Sequence, residues 1–330
     1  MNVAIVGTGN VGKIYFSILK KKKIINKIYL IDKFDNPKKN IIAFKKFKNL
    51  KNIKIDYAFI CSPSYLHYEH ARFFLKKKIP TLIEKPFVLK LDDAKKLIRL
   101  SKLNNVSCYT VFQNRFNASL IELKKKITNL KKTQKIFYVD FRMFWKRDSM
   151  YYSDGWHGKY KYDGGVLTNQ AIHMLDIMIN FFGKIRGFNV SFGFNKKKLE
   201  AEDLISLKFE MFSGTVINFV STTRADFNYE VSIDIFSHLK RYKIEGISMN
   251  KFYIYKKGKK ILSKKNSEYF SQGHGIHHAK LINLFLKNKL KDFRIEKNIY
   301  TLEVIHSIYN QIKNRGNLLP IKFKQSILGA

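Results

Sequence analysis

NVAIVGTGNVG, residues 2–12, joins a short apolar run to three closely spaced glycines. Gly7, Gly9 and Gly12 have the G-x-G-x-x-G spacing, which alone is weak evidence. Here the spacing follows a strand-like run and opens a helical segment, where glycines allow a tight turn and let a pyrophosphate approach the backbone. The first N–H groups of the helix would hold the phosphates. The stretch therefore predicts a dinucleotide-binding turn, and a tight turn without a ligand is the alternative. The residues of the predicted turn are Gly7, Thr8, Gly9, Asn10, Val11 and Gly12.

Asp32 ends the next apolar run, KIYLID (residues 27–32), and follows Gly12 by twenty residues. A carboxylate at this position accepts hydrogen bonds from the ribose hydroxyls and repels a 2′-phosphate. The position therefore favours NAD over NADP as the cofactor, while Lys33 beside it keeps NADP as an alternative.

Residues 1–117 alternate short apolar runs with segments of helical periodicity. The runs are too short for helices and too continuous for half-buried strands, as in a parallel sheet covered on both faces. This pattern predicts an α/β domain with a doubly wound parallel sheet, the Rossmann arrangement. The predicted strands are NVAIV (2–6), KIYLID (27–32), YAFICS (57–62), TLIEKP (81–86) and VSCYTVF (106–112), with a short IIAFKKF segment at 41–47. The predicted helices run to about Lys22, from Ser64 to Lys77 and from Leu91 to Asn104.

Residues 118–330 have a different pattern, in which apolar and polar residues alternate with period two between turns. Such alternation predicts an α+β domain with an open, mainly antiparallel sheet that carries helices on one face. The predicted strand segments are KIFYVDFRMFW (135–145), GFNVSFGF (187–194), DLISLKFEMF (203–212), GTVINFVST (214–222), YEVSIDIF (229–236), RYKIEGI (241–247) and KFYIYKKGKKIL (251–262). The predicted helices are a bridging helix near Ser119 to Leu130, Leu167 to Phe182, about His274 to Leu286, and Asn298 to Asn314.

The composition limits which class the protein can belong to and which partners it can bind. With 330 residues and 45% hydrophobic content, the chain can build a core in each of two domains. The net charge of +38 raises nucleic acid as a partner. However, of the 63 basic residues ten are Arg and 53 are Lys, whereas base and bidentate phosphate recognition favour Arg. The excess of Lys is therefore interpreted as a compositional bias, with runs such as Lys20 to Lys23 at solvated helix ends, and no nucleic-acid partner is expected.

The sequence also bears on compartment and metal content. The chain starts in NVAIV without a charged leader or a cleavage site, and no stretch reaches the ~18 apolar residues of a membrane span. Cys61 and Cys108 show no metal-ligand spacing. A reduced, cytoplasmic protein without a membrane segment or a metal site is expected.

Polar residues follow the predicted fourth and fifth strands at their carboxyl ends, where ligands of doubly wound sheets lie. Ser62 and Pro63 follow YAFIC, and Lys85 lies in TLIEKPF before Pro86. A cis Lys-Pro bond would fix the direction of the lysine. A surface lysine before a loop proline is the alternative to a functional one.

His67 and His70 are three residues apart on the following predicted helix, with the spacing of a metal pair. No carboxylate or cysteine completes a ligand set nearby, which favours packing or surface histidines.

A second motif is DGGVLTNQAIHMLD, residues 163–176. In one continuous helix, Asn169, His173 and Asp176 fall at i, i+4 and i+7 and form a polar stripe on an otherwise apolar segment. Buried polar groups require hydrogen bonds or a cleft. The stripe therefore predicts functional side chains, against the alternative of a structural core histidine.

Four motifs in this order resemble the glucose-fructose oxidoreductase/inositol dehydrogenase (Gfo/Idh/MocA) family: GTGNVG at 7–12, EKP at 84–86, FQNRF at 112–116 and GGVLTNQAIHMLD at 164–176. The similarity extends to GHGIHHAKLINLFL (273–286) and RGNLLPIKF (315–323). The resemblance implies an NAD(P)-dependent sugar oxidoreductase with the two domains described above. It also implies a homo-oligomer, a dimer or tetramer, built through the open sheet.

The resemblance assigns roles to particular residues. It identifies Lys85 as the catalytic lysine of the EKP motif and His173 as the catalytic histidine. Many members carry Asp four residues before that histidine, where this chain has Asn169, so Asn169 is expected to bind a sugar hydroxyl. The implied cofactor residues beyond the glycine turn and Asp32 are Ser62, Pro63, His67, Glu84, Lys85, Gln113 and Arg115.

NQAIH, preceded by RDSMYYSDGWHGKYKYDGG (147–165), is similar to the subgroup that oxidises UDP-N-acetylglucosaminuronic acid at C3. That subgroup reads closer to R-x-x-x-Y-Y-x-x-x-x-W-R-G. Arg147, Tyr151, Tyr152 and Trp156 fit this pattern, whereas His157 replaces the second Arg. Since an anionic sugar needs cations, Arg147, Lys159 and Arg224 are expected to compensate. The implied substrate residues are Lys85, Arg147, Tyr152, Trp156, Asn169, His173 and Arg224.

The resemblance implies hydride transfer from the sugar to NAD, with His173 accepting the hydroxyl proton and Lys85 stabilising the oxygen, or with these two roles exchanged. The 3-keto product would feed an aminotransferase in surface-polysaccharide synthesis, and 2-oxoglutarate is a candidate hydride acceptor. The alternatives are a dehydrogenase of free inositol or glucose, an inert NAD-binding regulator and, most weakly, a nucleic-acid binder.

Overall fold

The computed structural model describes residues 1–48, 53–133, 135–193, 199–265 and 277–314. They form a six-stranded parallel sheet and an eight-stranded, mainly antiparallel sheet, which confirms the predicted fold class. Three parts of the predictions lie outside the described residues: Phe194, the start of the helix expected from His274, and the RGNLLPIKF segment.

The parallel sheet has the strand order β3-β2-β1-β4-β5-β6. The order reverses between β1 and β4, and in such sheets the crevice beyond the carboxyl ends of the strands at this point binds ligands. The strands are β1 Asn2–Val6, β2 Lys27–Asp32, β3 Ile41–Ala43, β4 Tyr57–Ile60, β5 Thr81–Ile83 and β6 Cys108–Thr110. The helices around them are α1 Asn10–Lys20, α2 Phe44–Lys48, α3 His67–Lys76 and α4 Leu91–Leu103.

Both faces of this sheet are covered, which explains the continuous apolar runs. In β1, Val3 and Ile5 belong to one buried cluster, whereas Ala4 and Val6 belong to a second cluster on the opposite face. The buried positions of β1 are therefore all apolar, as the pattern predicted.

The second sheet has the order β14-β13-β12-β11-β7-β10-β9-β8, in which β7 and β10 pair in parallel. The segment KFYIYKKGKKIL, expected to be one strand segment, is instead a hairpin closed by Lys257 and Gly258. Both residues have positive φ, 47° and 74°, as the central residues of a type I′ turn do. The strands are β7 Ile136–Phe144, β8 Ile185–Gly193, β9 Leu204–Met211, β10 Val216–Thr222, β11 Glu230–Ser237, β12 Arg241–Glu245, β13 Lys251–Lys256 and β14 Lys259–Lys265.

The remaining helices follow β6 along the chain. The helix expected from Leu167 to Phe182 is divided into two helices, with Gln170 and Ala171 between them. Among the described residues, no helix combines the length and the apolar character that a membrane crossing requires. The helices are α5 Ala118–Thr133, α6 Val166–Asn169, α7 Ile172–Phe182, α8 His277–Leu286 and α9 Ile295–Asn314.

The last two helices return to the parallel sheet, although their residue numbers place them in the second half of the chain. The Tyr57 hydroxyl donates to the Leu286 carbonyl at 3.2 Å, and the Tyr109 hydroxyl donates to Asn288 Oδ1 at 2.6 Å. The contacts join β4 and β6 to the end of α8, so the chain crosses between the two sheets twice.

Candidate active site

The glycine turn leaves an open surface at the start of α1. Gly7 has φ +96°, and a Cβ there would lie 2.5 Å from the backbone of Cys61 and Ser62. A Cβ on Gly12 would lie 2.0 Å from the Gly7 carbonyl oxygen, whereas a Cβ on Gly9 would meet no atom within 4 Å. Helix and strands therefore pack closely while the exposed edge of the turn stays clear for a pyrophosphate.

Asp32 faces this turn from the end of β2. Its Oδ2 accepts hydrogen bonds from the Thr8 backbone N–H at 2.7 Å and the Thr8 hydroxyl at 2.5 Å, and its Oδ1 accepts from the Lys33 N–H at 2.7 Å. Burial acts to raise the pKa of Asp32, but these hydrogen bonds outweigh it and the pKa is lowered. The carboxylate stays ionised beside a cavity of about 390 Å³, which Lys33, Phe34 and Lys39 also line.

Replacing Asp32 by Asn is expected to shift cofactor preference toward NADP. The amide retains an acceptor for Thr8 but loses the charge that repels a 2′-phosphate, and Lys33 and Lys39 then attract that phosphate. We expect the ratio of Kd for NADPH to Kd for NADH, measured by fluorescence titration, to fall at least about tenfold, or about 1.4 kcal/mol. Asp35→Asn is the matched control, because Asp35 lines the same cavity but is bonded to the Ala43 N–H at 2.6 Å. An unchanged ratio in Asp32→Asn would contradict this role.

Lys85 links the two sheets. It follows β5, its peptide bond to Pro86 is cis, and its Nζ donates to the Asn169 carbonyl at 2.6 Å and to Asn169 Oδ1 at 3.3 Å. Burial lowers the pKa of Lys85, and the carboxylates of Glu84 and Asp163 oppose this effect. An ammonium held at the crevice with a lowered pKa is suited to stabilise or exchange a proton on a substrate oxygen.

The predicted stripe of Asn169, His173 and Asp176 is divided in the structure. Asn169 ends α6, His173 lies in the first turn of α7 with the Phe112 ring edge-on at 6.4 Å, and Asp176 is buried. Asp176 accepts from Arg115 Nε at 2.8 Å and Arg115 Nη2 at 2.5 Å. Asp176 is therefore a structural ion-pair partner, which corrects the single-face stripe.

Asn169 is the centre of the polar contacts. Its Oδ1 accepts from Lys85, and its Nδ2 donates to the Tyr151 hydroxyl at 2.9 Å. Asp163 is 3% exposed and accepts from the Gly158 N–H at 3.2 Å. Burial raises the pKa of Asp163, while His157, Gly158, Asn169 and Lys85 act to lower it.

An aromatic stack lies beside Asn169. The His157 ring lies between the rings of Trp156 and Tyr151, with centroids 3.7 and 4.2 Å away, and its Nδ1 is 2.6 Å from Asp154 Oδ2. The Arg147 guanidinium lies 5.1 Å from the centre of the Tyr151 ring. The loop of residues 147–163 therefore supplies both aromatic and cationic groups next to Lys85.

Two predicted substrate residues have protein partners in this structure. The Tyr152 hydroxyl lies 2.8 Å from Thr223 Oγ1, and Arg224 Nε donates to Asp203 Oδ1 at 2.7 Å. Their side chains are thus held at the ends of β9 and β10, whereas Lys85 and Asn169 contact each other directly.

Three predicted cofactor residues have protein partners in this structure. His67 is 1% exposed, with Nδ1 2.8 Å from the Pro86 carbonyl oxygen and Nε2 2.7 Å from the Ser62 carbonyl oxygen. Glu84 is 7% exposed and accepts from the Tyr15 hydroxyl at 2.7 Å. The Arg115 guanidinium forms the ion pair with Asp176 described above. All three side chains have protein partners in this structure, and their contact with the cofactor stays a prediction.

The other members of that set are Ser62, Pro63 and Gln113. Ser62 Oγ is 2.8 Å from His70 Nδ1, and Pro63 caps the turn that leads into α3. Gln113 is 5% exposed, and its Oε1 is enclosed without a hydrogen-bond partner among the described residues. The two histidines of α3 thus hold loops, as the packing interpretation proposed. Among the described residues, no group of three or more His, Cys, Asp or Glu side chains has metal-binding geometry.

Glu202 supports α6 and was missed in the sequence. Its Oε1 accepts from the Leu167 N–H at 3.1 Å and the Tyr309 hydroxyl at 2.9 Å. A Cβ on Gly165 would lie 2.0 Å from Glu202 Oε2, which explains the glycine there. The only signal for this contact in the sequence is the glycine pair itself.

The titration of Glu202 is expected to make stability depend on pH. Burial raises the pKa of Glu202 from 4.5 to about 7. As the pH rises, Glu202 therefore ionises in the unfolded chain before it ionises in the folded protein, and the free energy of unfolding falls between these two pKa values. Glu202→Gln removes this loss. Between about pH 4.5 and 8, its free energy of unfolding in urea should therefore rise by on the order of 3 kcal/mol relative to that of the parent. The exposed Glu200→Gln is the control. Parallel pH curves for Glu202→Gln and the parent would rule this out.

Family models match both halves of the chain. A model described as an oxidoreductase family with an NAD-binding Rossmann fold matches residues 1–112, and one described as a GFO/IDH/MocA C-terminal domain matches residues 129–242. Among curated relatives, myo-inositol 2-dehydrogenase of Thermotoga maritima is 26% identical over 137 residues, which are 39% of this chain and 41% of that protein. The matches to the first curated relatives span half of their lengths or less.

Solved structures match over nearly the whole chain. The WlbA dehydrogenase of Chromobacterium violaceum, in complex with NADH and UDP-GlcNAcA, has a TM-score of 0.79 and 20% identity and covers 95% of this chain and 94% of its own. The WlbA dehydrogenase of Bordetella pertussis, with the same two ligands, has a TM-score of 0.79 and 21% identity and covers 98% of each chain. At these identities, the likeness concerns the fold.

Proposed function

Because the chain belongs to the GFO/IDH/MocA oxidoreductase family, whose Rossmann domain binds NAD, we propose that it oxidises a nucleotide-linked sugar acid. The substrate class is UDP-N-acetylglucosaminuronic acid (UDP-GlcNAcA) or a close relative, oxidised at the C3 hydroxyl. The observation that carries the proposal is the Lys85 ammonium, which reaches from the cofactor sheet to Asn169 beside the start of the His173 helix.

Each reacting group has an assigned role. NAD bound along the glycine turn supplies the hydride acceptor. His173 accepts the proton of the C3 hydroxyl as the C3–H bond breaks, and Lys85 donates a hydrogen bond to the same oxygen while it becomes a carbonyl. One hydride and one proton leave the sugar, so the products are the 3-keto sugar, NADH and a proton.

An anionic substrate is supported by the cations around Asn169. The Arg147 Nη1 donates to the Lys146 carbonyl at 2.8 Å, but its Nε is enclosed and has no hydrogen-bond acceptor among the described residues. A substrate carboxylate or phosphate would supply such an acceptor. The stack of Tyr151, His157 and Trp156 adds planar surface for a base or sugar ring.

The structural likeness to two dehydrogenases with bound NADH and UDP-GlcNAcA supports the same substrate class. The proposal includes a cytoplasmic homo-oligomer, a dimer or tetramer, and a keto product consumed by an aminotransferase in surface-polysaccharide synthesis. 2-Oxoglutarate is a candidate acceptor for the hydride on NADH. A second candidate is a dehydrogenase of a free polyol, favoured by the match to myo-inositol 2-dehydrogenase.

A substrate panel tests these alternatives. The purified protein is incubated with NAD and UDP-hexuronic acids, UDP-N-acetylglucosamine or myo-inositol, with and without 2-oxoglutarate, and the sugars are analysed by mass spectrometry. We expect loss of two hydrogens from a uronate. Oxidation of myo-inositol with no change in any uronate would replace the proposal by the second candidate.

A further inference from the structure

The helix α6, which ends at Asn169, is a single turn of four residues, Val166–Asn169. A helix of this length is not stable alone, because its few hydrogen bonds do not offset the cost of fixing the first residues. The residue before it, Gly165, has no side chain that could cap the turn. The contacts that hold α6 in place must therefore come from other parts of the chain.

Glu202 supplies two of these contacts. The Val166 N–H donates to the Glu202 carbonyl at 2.8 Å, and the Leu167 N–H donates to Glu202 Oε1 at 3.1 Å. The first N–H groups of a helix have no partner within the helix, so both bonds satisfy groups that the turn itself leaves open. Because Glu202 lies two residues before β9, the second sheet holds one side of α6.

The Tyr309 hydroxyl, on α9, supplies the other contacts. It accepts hydrogen bonds from the Gly165 N–H at 3.0 Å and from the Thr168 hydroxyl at 2.9 Å. It donates to Glu202 Oε1 at 2.9 Å. The single donor and both acceptor sites of the hydroxyl are thus used. One oxygen atom of α9 therefore joins both ends of the turn to the carboxylate that caps it.

The other end of α6 contacts the candidate catalytic lysine. The Asn169 carbonyl accepts from Lys85 Nζ at 2.6 Å, and Asn169 Oδ1 accepts from the same atom at 3.3 Å. Because α6 is only one turn long, a displacement of its start also moves the carbonyl at its end. A misplacement of about 1 Å in a reacting group can cost about 10²-fold in rate. The cap at the start of α6 is therefore coupled to the position of the Lys85 ammonium.

Building on the proposed function, we infer that Tyr309 is a positioning residue: together with Glu202, its hydroxyl caps α6 and thereby fixes the Asn169 carbonyl that orients the Lys85 ammonium. Tyr309 acts through α6 and not by contact with the sugar. The helix α9 thereby contributes to a reaction that Lys85 and His173 carry out.

Tyr309→Phe tests this role, because it removes one oxygen and keeps the ring. We expect kcat for the active sugar to fall at least about tenfold, with a much smaller change in the Kd for NADH. Tyr300→Phe is the matched control on the same helix, since the Tyr300 hydroxyl accepts from the Ile185 N–H at 3.0 Å, away from α6. Its kcat should remain within about twofold of the parent. Equal kcat values in the two variants would overturn the inference.

Thr168→Val is a second test, which keeps the Tyr309 hydroxyl and removes one of its three hydrogen bonds. We expect kcat to fall about threefold, as for the loss of one ordinary hydrogen bond. In the double variant with Tyr309→Phe, kcat should be within about twofold of that of Tyr309→Phe alone, because the shared bond is already absent. An unchanged kcat in Thr168→Val, or losses that multiply in the double variant, would contradict the inference. Urea unfolding of each variant shows that the protein tested is folded.

The protonation of Lys85 gives a readout without turnover. The charged groups that affect the pKa of Lys85 are Glu84, Asp163 and Arg147, and neither tyrosine variant removes any of them. When the Asn169 carbonyl moves away, the ammonium form loses a hydrogen bond. We therefore expect the pKa of Lys85 to be lower in Tyr309→Phe than in the parent, and unchanged in Tyr300→Phe.

NMR of protein with 15N-labelled lysine side chains measures this pKa, and Lys85→Met assigns the signal. An equal Lys85 pKa in the parent and Tyr309→Phe would refute the role of Tyr309, whatever sugar the enzyme oxidises. A lower pKa in Tyr309→Phe alone, with every uronate inert, would support the positioning role and contradict the proposed substrate.

Discussion

Lys85→Met is expected to lower kcat about a thousandfold, with a much smaller change in NADH affinity. Methionine fills similar volume but has no hydrogen-bond donor for the sugar oxygen, and a donor of this kind contributes about 10²–10³ in kcat. The additional loss comes from the contact with Asn169, which sets the position of the amide. The measurement is steady-state kinetics with NAD and the active sugar, together with fluorescence titration of NADH.

The exposed Lys90, five residues further along the same loop, provides the control. Lys90→Met removes the same charge from the chain but from a side chain that faces solvent, so its kcat should remain within about twofold of the parent. If Lys85→Met and Lys90→Met had similar activity, Lys85 would be a surface lysine without a functional role, which is the alternative that the sequence allows.

His173→Gln is expected to lower kcat by about 10²–10⁴, the usual contribution of a positioned general base. Glutamine keeps polar atoms at the start of α7 but does not accept a proton at neutral pH. The parent should lose activity as the pH falls, because a protonated histidine is no longer a base, and His173→Gln should lack this acid limb. Rate against pH under saturating NAD and sugar gives both results.

His306→Gln is the matched control for this substitution. The His306 Nε2 lies 2.8 Å from the Leu89 carbonyl oxygen, a contact that a glutamine amide can replace, and it is outside the proposed chemistry. Retention of the acid limb in His173→Gln would mean that another group takes the proton. In that case the exchanged assignment, with Lys85 as the proton acceptor, would be preferred.

The parts of the fold that depend on local spacing could be predicted from the sequence. The glycine turn at 7–12 and the continuous apolar strand before it are properties of neighbouring residues, and the structure has them at those positions. The NAD-binding class follows from the same stretch and is confirmed by the family model. The position of Lys85 at a strand end also follows from the order of elements along the chain.

The parts that depend on contacts between distant residues could not be predicted. Helical periodicity gave Asp176 the same face as His173, but it carries no information about Arg115, which lies 61 residues earlier and binds Asp176. For His67 the spacing favoured a packing or surface histidine, but it could not identify the two backbone carbonyls that its ring nitrogens contact. In each case the polar side chain contacts a partner that is distant in the sequence, so no local pattern predicts the contact.

Asn169 shows the same limit within the candidate site. In the sequence it stands four residues before His173, a spacing that gives both residues one helix face. Its contact with Lys85 requires the strand end after β5 and the end of α6 to meet across the crevice. We propose that this meeting point holds the C3 hydroxyl of a nucleotide-linked sugar acid.

The most direct measurement uses UDP-GlcNAcA carrying deuterium at C3. The protein is incubated with this sugar and NAD, and the reduced cofactor and the sugar are analysed by mass spectrometry. We expect the deuterium to appear on the nicotinamide ring of NADH and the sugar to become its 3-keto form. NADH without deuterium would contradict oxidation at C3, and absence of NADH from this and every other UDP-hexuronic acid would contradict the sugar-acid substrate.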